Sequence, residues 1–236
     1  VRTVRTSFEK RGVKFYLGQK TTGVEAAGGL KTLVLADGTR VTAEELLVGT
    51  GRLAHLSDLG LDKLGLTWDR KGIRTDAKMR TSVENIYAAG DINGISTLAH
   101  SASRQGEIAA ENIMGAERSF DENIVPKCIY TWPEIGTVGL NKAQAEAKGL
   151  AVKTVRAYFA GVGKAVTHEE TEGFVQLVLD AADGTILGAQ IVGETATEII
   201  HVLAAAVKFR LKKAELREMI FAHPTMAEAI HEALAK

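Results

Sequence analysis

Short apolar runs punctuated by glycine and aspartate turns set the first half of the chain. Residues 1–12 read as the end of a helix with Gly12 as its stop. The run "VKFYLG" (13–18) reads as a strand. "KTLVLADGTRVTAEELLVGTG" (31–51) reads as a strand, an Asp37–Gly38 turn and a second strand pair. Within it, "EELLVGTGR" is a short apolar run ending in glycines, which predicts a buried strand. In 72–92 a polar extended part leads to a second predicted buried strand, Ile86 to Ala89, ending at Gly90–Asp91. "TLAHSASRQGEIAAENIMG" (97–115) predicts a helix stopped by Gly115, with Ile108, Ala109 and Ile113 near helical spacing.

The polar stretch 117–126 ends at Pro126, and a domain boundary falls there at about residue 121. Beyond it the pattern is α+β. "KCIYT" (127–131) and "VKTVRAYF" (152–159) read as strands, and "NKAQAEAKG" (141–149) as a helix with a glycine stop. "GFVQLVLDAADGTILGAQIVG" (173–193) predicts a hairpin about Asp183–Gly184. Helices follow at 196–209 and 212–220, and a closing helix begins after Pro224, where a missing N–H is harmless.

Bulk numbers narrow the function. The 236 residues are 45% hydrophobic and 25% charged, an ordinary globular mix. With 29 basic and 29 acidic residues, the formal net charge of zero gives no electrostatic reason to bind nucleic acid or an anionic membrane. Apolar runs such as "VLAAAV" (202–207) are too short to span a bilayer. The opening "VRTVRTSFEKRG" is charged and lacks the apolar core of a signal peptide; starting without Met, it reads as a trimmed piece. One cysteine excludes an internal disulfide and suits a reducing compartment, the cytoplasm or, in a eukaryote, the mitochondrial matrix.

Two places carry candidate chemistry. A predicted buried strand ends at Asp91 and a helix begins near Thr97. In open α/β sheets ligands collect at such strand ends, and a helix start offers free N–H groups and a positive dipole end. Asp91 would accept hydrogen bonds from a sugar-like hydroxyl, or simply cap the helix. At the other end of the chain, His223 precedes Pro224 and is followed five residues later by Glu228. A His–carboxylate pair is the kit of a general acid–base, and the alternative is a histidine capping the last helix with Glu228 as its first-turn acid. The lone Cys128 lies in a predicted strand and reads as a small buried hydrophobe. "HE" occurs at His168 and His231 without the second histidine of a zinc motif, so no metal site is expected. Trp132 and Pro133 read as packing residues.

Several separated motifs occur in one order: "LLVGTGR", "GLDKLGLTWDRKGIRTDAKMRTSVENIYAAGDI", "TLAHSASRQGEIAAENIMG", "IYTWPEIGTVGL" and "HPTMAEAIHEAL". In this the chain resembles the C-terminal portion of the FAD-dependent pyridine nucleotide–disulfide oxidoreductases, and among them most resembles the dihydrolipoamide dehydrogenases. The resemblance implies the tail of an α/β NAD-binding domain (1–52), the returning part of an FAD-binding domain (53–120) and an α+β dimerisation domain (121–236). It also implies an N-terminal G-x-G-x-x-G unit for FAD and a pair of redox cysteines, neither of which these residues contain.

Residue by residue, the resemblance assigns Asp91 to the FAD ribityl chain. Thr97, Leu98, Ala99 and His100 become the helix start beneath the flavin, with His100 acting mainly through its backbone. Gly51 and Thr21 fall at nicotinamide-nucleotide contact positions, although "GRLAHLSDLG" departs from the family's Gly-Arg-x-Pro-Asn pattern. His223 becomes the acid–base that reaches across a homodimer interface to the partner's redox cysteines, oriented by Glu228. The implied activity is oxidation of a dihydrolipoyl group, carried on a 2-oxo acid dehydrogenase complex, with electrons passing through FAD to NAD. Another thiol–disulfide reductase of the family, or a non-catalytic dimerisation module, are the alternative readings.

Overall fold

The computed structural model describes residues 2–236. Helix α1 (Arg2–Lys10) ends as expected, with Gly12 at a positive φ of 87°. A three-stranded antiparallel sheet follows, β1 (Thr21–Ala27), β2 (Leu30–Leu35) and β3 (Arg40–Ala43), in that order. The Asp37–Gly38 turn joins β2 to β3: Asp37 accepts the Thr39 N–H at 2.9 Å and Gly38 takes φ 86°. A single turn, α2 (Leu61–Leu64), and a two-residue ribbon, β4 (Trp68–Asp69) with β5 (Gly72–Ile73), lead to the long helix α3 (Ala99–Ile113).

The remainder is built on a five-stranded antiparallel sheet ordered β6-β7-β10-β9-β8. Its strands are β6 (Lys127–Ile129), β7 (Glu134–Gly139), β8 (Val152–Tyr158), β9 (Phe174–Asp180) and β10 (Ile186–Gly193). Between them lie α4 (Lys142–Ala147) and α5 (Gly163–Thr167); α6 (Ala196–Lys208), α7 (Lys213–Arg217) and α8 (Glu228–Leu234) follow. Asn141 closes a capping box on α4, accepting the Gln144 N–H at 2.9 Å while the Gln144 side chain accepts the Asn141 N–H at 2.9 Å. Helix α6 turns one apolar face inward, with Ala196, Ile200, Leu203 and Ala206 all fully buried at helical spacing. It lies on β7 and β10, while α8 lies on β8 and β9, and one core joins both to Phe159, Leu177, Ile186 and Ile191. The contact is close because Gly136 has no side chain: a Cβ there would stand 2.5 Å from the Ala196 carbonyl oxygen.

Several expected elements take other forms. Val13–Gly18 is not a strand, and neither is 44–52, where Leu47 and Val48 are 93% and 72% exposed. Among the described residues neither segment meets a neighbouring strand, and an extended run without a ladder is not a strand. Ile86–Ala89 folds back on 79–81 through Thr81 N–H to Ile86 O (3.0 Å) and Ala88 N–H to Met79 O (3.1 Å), forming only one isolated bridge. Ile108 and Ala109 are buried as expected on α3, but Ile113 is 63% exposed at its last residue. The closing helix starts at Glu228, four residues later than Pro224 suggested. Strands β1 and β7 have no counterpart in the expectations.

Small clusters hold the 53–120 region: Leu61, Leu66, Ile73 and Ala88 in one, Met79, Ile108 and Ala109 in another. Just after α1, the Arg11 guanidinium sits 5.5 Å from the Trp132 ring centroid. Cys128 is half-buried on β6, packed against the main core with its Sγ 3.8 Å from Thr197 O; burial, then Glu134 and Glu198, push its thiol pKa up. Its surroundings are those of a packing thiol, without the cationic neighbours that favour a thiolate.

Candidate functional site

Helix α8 is held down by four fully buried residues, Ala229, Ile230, Ala233 and Leu234. That anchorage fixes Glu228 at the first helical position, with a quarter of its side chain exposed. Both carboxylate oxygens are engaged. One accepts the Thr225 N–H at 2.8 Å, and the other lies 2.9 Å from Nδ1 of His223. Thr225 in turn donates its hydroxyl to Ala222 O at 2.7 Å, closing the turn that carries the histidine. The Thr225 N–H first, and His223 second, hold the Glu228 carboxyl below the ordinary carboxylate range.

The tautomer follows from the partner. A carboxylate only accepts, so Nδ1 of His223 must donate, and the neutral ring presents a bare lone pair at Nε2. The His223 side chain is 76% exposed, so that lone pair is open to a reacting proton. No side chain caps α8, and His223 spends its hydrogen bond on Glu228 instead. His231 stands three residues along α8, its ring centroid 5.5 Å from that of Phe221.

The second expected site lies around Asp91. A cleft of about 630 Å³ is lined by Arg52, Leu53, Ala54, Asp91, Gly94 and Thr97, with Asp69, Arg70 and Lys71 from the β4–β5 ribbon. Asp91 opens a short 3-10 turn (Asp91–Asn93), and its carboxylate has no protein hydrogen-bond partner among the described residues. Helix α3 starts beside it with Leu98 as an N-cap in extended conformation and no side chain capping the first turn. Its leading N–H groups are therefore unspent. The structure thus brings Asp91 and Thr97 to one cleft and puts Leu98 and Ala99 at the helix start. His100 is exposed, and its Nε2 lies 2.9 Å from the Pro126 carbonyl, so that nitrogen donates.

Thr21 and Gly51 lie on different elements. Thr21 opens the edge strand β1, whereas Gly51 (φ 105°) lies in the irregular exposed stretch after β3. No hydrogen bond links them among the described residues. Among those residues no group of three or more His, Cys, Asp or Glu is arranged for a metal ion, and no helix is long and apolar enough to cross a membrane.

Sequence reasoning missed the residues behind Asp91. Gln105 is fully buried in α3, and its Oε1 accepts both the Gly90 N–H (2.7 Å) and the Asn93 Nδ2–H (2.8 Å). The signal was present: Ser101, Gln105 and Asn112 put polar side chains on the same buried face of α3 as Ile108. Thr225 was missed as well, although both its N–H and its hydroxyl hold the turn that carries His223.

Comparison with known proteins accounts for this arrangement. Residues 2–106 match the pyridine nucleotide-disulphide oxidoreductase family model, and residues 125–234 match the dimerisation domain of the same family. Dihydrolipoyl dehydrogenase from Chlamydia muridarum is 38% identical over 96% of this chain, and that from Chlorobaculum tepidum 37% identical over 98%. The chain spans about half the length of these relatives, 49% and 50% respectively. The crystal structure of LpdA from Mycobacterium tuberculosis superposes with a TM-score of 0.93 over 99% of this chain and 51% of its own, at 28% identity. The HOCl-induced flavoprotein disulfide reductase RclA from Escherichia coli shares the fold with a TM-score of 0.90, at 22% identity. Nearly the whole length of the sequence is thus accounted for by two consecutive models and by continuous fold likeness: the chain belongs to the pyridine nucleotide-disulphide oxidoreductases, and its five-stranded α+β unit is their dimerisation domain.

Proposed function

We propose that these residues form the C-terminal part of a dihydrolipoamide dehydrogenase, in which His223 is the acid–base for the dithiol. The observation that carries this is the 2.9 Å contact of His223 Nδ1 with a Glu228 carboxylate itself fixed at both oxygens, leaving Nε2 open. The net reaction removes two electrons and two protons from a dihydrolipoyl dithiol: the S–S bond forms, NAD⁺ becomes NADH and one proton is released. Nε2 of His223 takes a thiol proton, because the thiolate and not the thiol is the nucleophile in disulfide exchange. Glu228 keeps the ring in the productive tautomer and stabilises its charged form once the proton has arrived. The disulfide that the thiolate attacks lies outside these residues, whose single cysteine is Cys128. In the assembly we propose, a homodimer formed through the dimerisation domain brings the partner's redox cysteines to His223. The dihydrolipoyl group would be presented by a 2-oxo acid dehydrogenase complex.

The Asp91 cleft fits part of an FAD. An unpartnered carboxylate suits the hydroxyls of a ribityl chain, and an uncapped helix start at Thr97–His100 suits partial negative charge on a flavin ring. FAD, when bound, supplies the two-electron transfer between thiols and nicotinamide. Thr21 and Gly51 are carried over as nicotinamide-nucleotide contacts, and NAD rests on the family alone. The division 1–52, 53–120 and 121–236 into NAD-domain tail, FAD-domain return and dimerisation domain is part of the same proposal. A lone cysteine suits a reducing compartment, the cytoplasm or a mitochondrial matrix.

The test is His223→Gln in the full-length enzyme. Loss of a general acid–base lowers the rate of the thiol half-reaction by about two to four orders of magnitude. Unchanged turnover would return His223 to a structural part. Half-length and with one cysteine, the 236 residues alone also fit a dimerisation module without catalysis. On either reading the isolated chain should be colourless or nearly so and should form no lipoamide-dependent NADH.

A further inference from the structure

We infer that Gln105 and Asn93 form a clamp that positions Asp91 against the start of α3; this rests on the reading of that cleft as a flavin site. Gln105 is fully buried and Asn93 nearly so, yet both are polar, which is costly unless every buried group finds a partner. Most of their capacity goes into the turn that carries Asp91. The Gln105 Oε1 accepts the Gly90 N–H at 2.7 Å, immediately before Asp91, and the Asn93 Nδ2–H at 2.8 Å, two residues after it. Asn93 also donates to Ala88 O (3.1 Å) and accepts the Ile95 N–H (3.0 Å). The two donors fix the amide orientation: oxygen must face them, which leaves the Gln105 Nε2 buried without a partner.

The turn has no slack elsewhere. Gly90 takes φ 86°, ψ −158°, a conformation nearly confined to glycine. A Cβ at Gly94 would lie 2.0 Å from Lys71 O, and one at Gly72 would lie 2.4 Å from Ile92 O. The β4–β5 ribbon closes on the outer side of the turn and α3 holds its inner side. Asp91 stands between these supports, and its carboxylate is the group left without a bond. The orphaned Nε2 is the cost of two bonds to one turn, whereas an apolar residue at position 105 would leave the Gly90 N–H and one Asn93 Nδ2–H unpaired instead.

Amide hydrogen exchange on the isolated 236-residue chain tests the clamp. In Gln105→Leu the Gly90 N–H loses its acceptor and the Asn93 Nδ2 keeps only Ala88 O, and exchange in 88–97 should rise by roughly tenfold or more. Exchange in β9 and β10 should not change. Gln105→Glu keeps an acceptor at the same place and should restore protection. Asn93→Ala should reproduce the Gln105→Leu pattern and carries the test if the leucine variant fails to fold. Unchanged exchange in 88–97, or an increase spread evenly over the chain, overturns the clamp. So does a Gln105→Glu variant as unprotected as Gln105→Leu. The flavin reading fails separately: in the full-length enzyme it requires Asp91→Ala to weaken FAD binding, followed by flavin fluorescence, whereas the exchange result does not depend on FAD.

Discussion

The dimerisation domain and the stretch from Val13 to Leu59 carry comparable apolar runs and meet opposite fates. In the first, Leu177, Ile191, Leu203 and Ile230 are completely buried within one core. In the second, Leu17, Leu47, Val48 and Leu53 are between 62% and 93% exposed. Residue type does not separate them, since both regions hold leucine and valine at strand-like spacing. The difference is neighbours. Strands β9 and β10 each pair on both sides and are covered by helices, whereas the 44–52 run meets no ladder among the described residues. An apolar run states that a segment is to be covered, and only tertiary pairing decides whether it is.

Four changes sharpen that contrast. The largest effect is expected for Ile230→Ala, which empties a fully buried site between α8 and the sheet; it should cost about 2–5 kcal/mol in denaturant unfolding. A loss under 1 kcal/mol would show that the domain core relaxes as freely as the N-terminal stretch. Next comes Gly193→Ala at the end of β10, where φ is 151° and a Cβ would stand 2.3 Å from the Phe159 ring. A destabilisation of about 1–3 kcal/mol is expected, visible as a lower Tm.

Glu228→Gln is smaller, about 1 kcal/mol, the usual net worth of one hydrogen bond, here from the Thr225 N–H in the turn before α8. Its sign with pH is set by the lowered carboxyl of Glu228. The contribution is complete above the unfolded glutamate value, near 4.3, and fades as pH falls through the lower folded value. Wild type and variant should therefore converge in acid and stay apart at neutral pH; a constant gap down to strongly acidic conditions would show that the ionised carboxylate is not what stabilises. The smallest effect is expected for Leu47→Ser, within about 0.5 kcal/mol because little area leaves water in the folded chain. A loss comparable to Ile230→Ala would break the contrast.

Legibility in the sequence follows the same division. Elements with local determinants were readable: the Asp37–Gly38 and Asp183–Gly184 turns, the glycine stops of α1 and α4, and the 3.6-residue face of α6. Strand β7 was not, because two glycines interrupt the β-formers of "EIGTVG"; Gly136 is there to let α6 approach, a fact of packing rather than propensity. The reverse error befell Ile86–Ala89, whose β-like run folds back on Met79–Thr81. The His223–Glu228 pairing was foreseeable from a five-residue spacing and the family resemblance. The clamp behind Asp91 was not sought, since a glutamine inside a helix attracts notice only once its face is known to be buried.

The contact between Arg11 and Trp132 gives the molecule a gauge of its own. The chain has two tryptophans, and Trp68 lies on the short β4–β5 ribbon with its indole N–H 3.3 Å from Asp62. Trp132 instead sits under a guanidinium from the far end of the sequence. A cation over an indole alters its emission, so Trp68→Phe would leave one fluorophore whose colour and lifetime follow the contact between Arg11 and the dimerisation domain. Any ligand or partner that levers the two apart would announce itself as light, with no label attached.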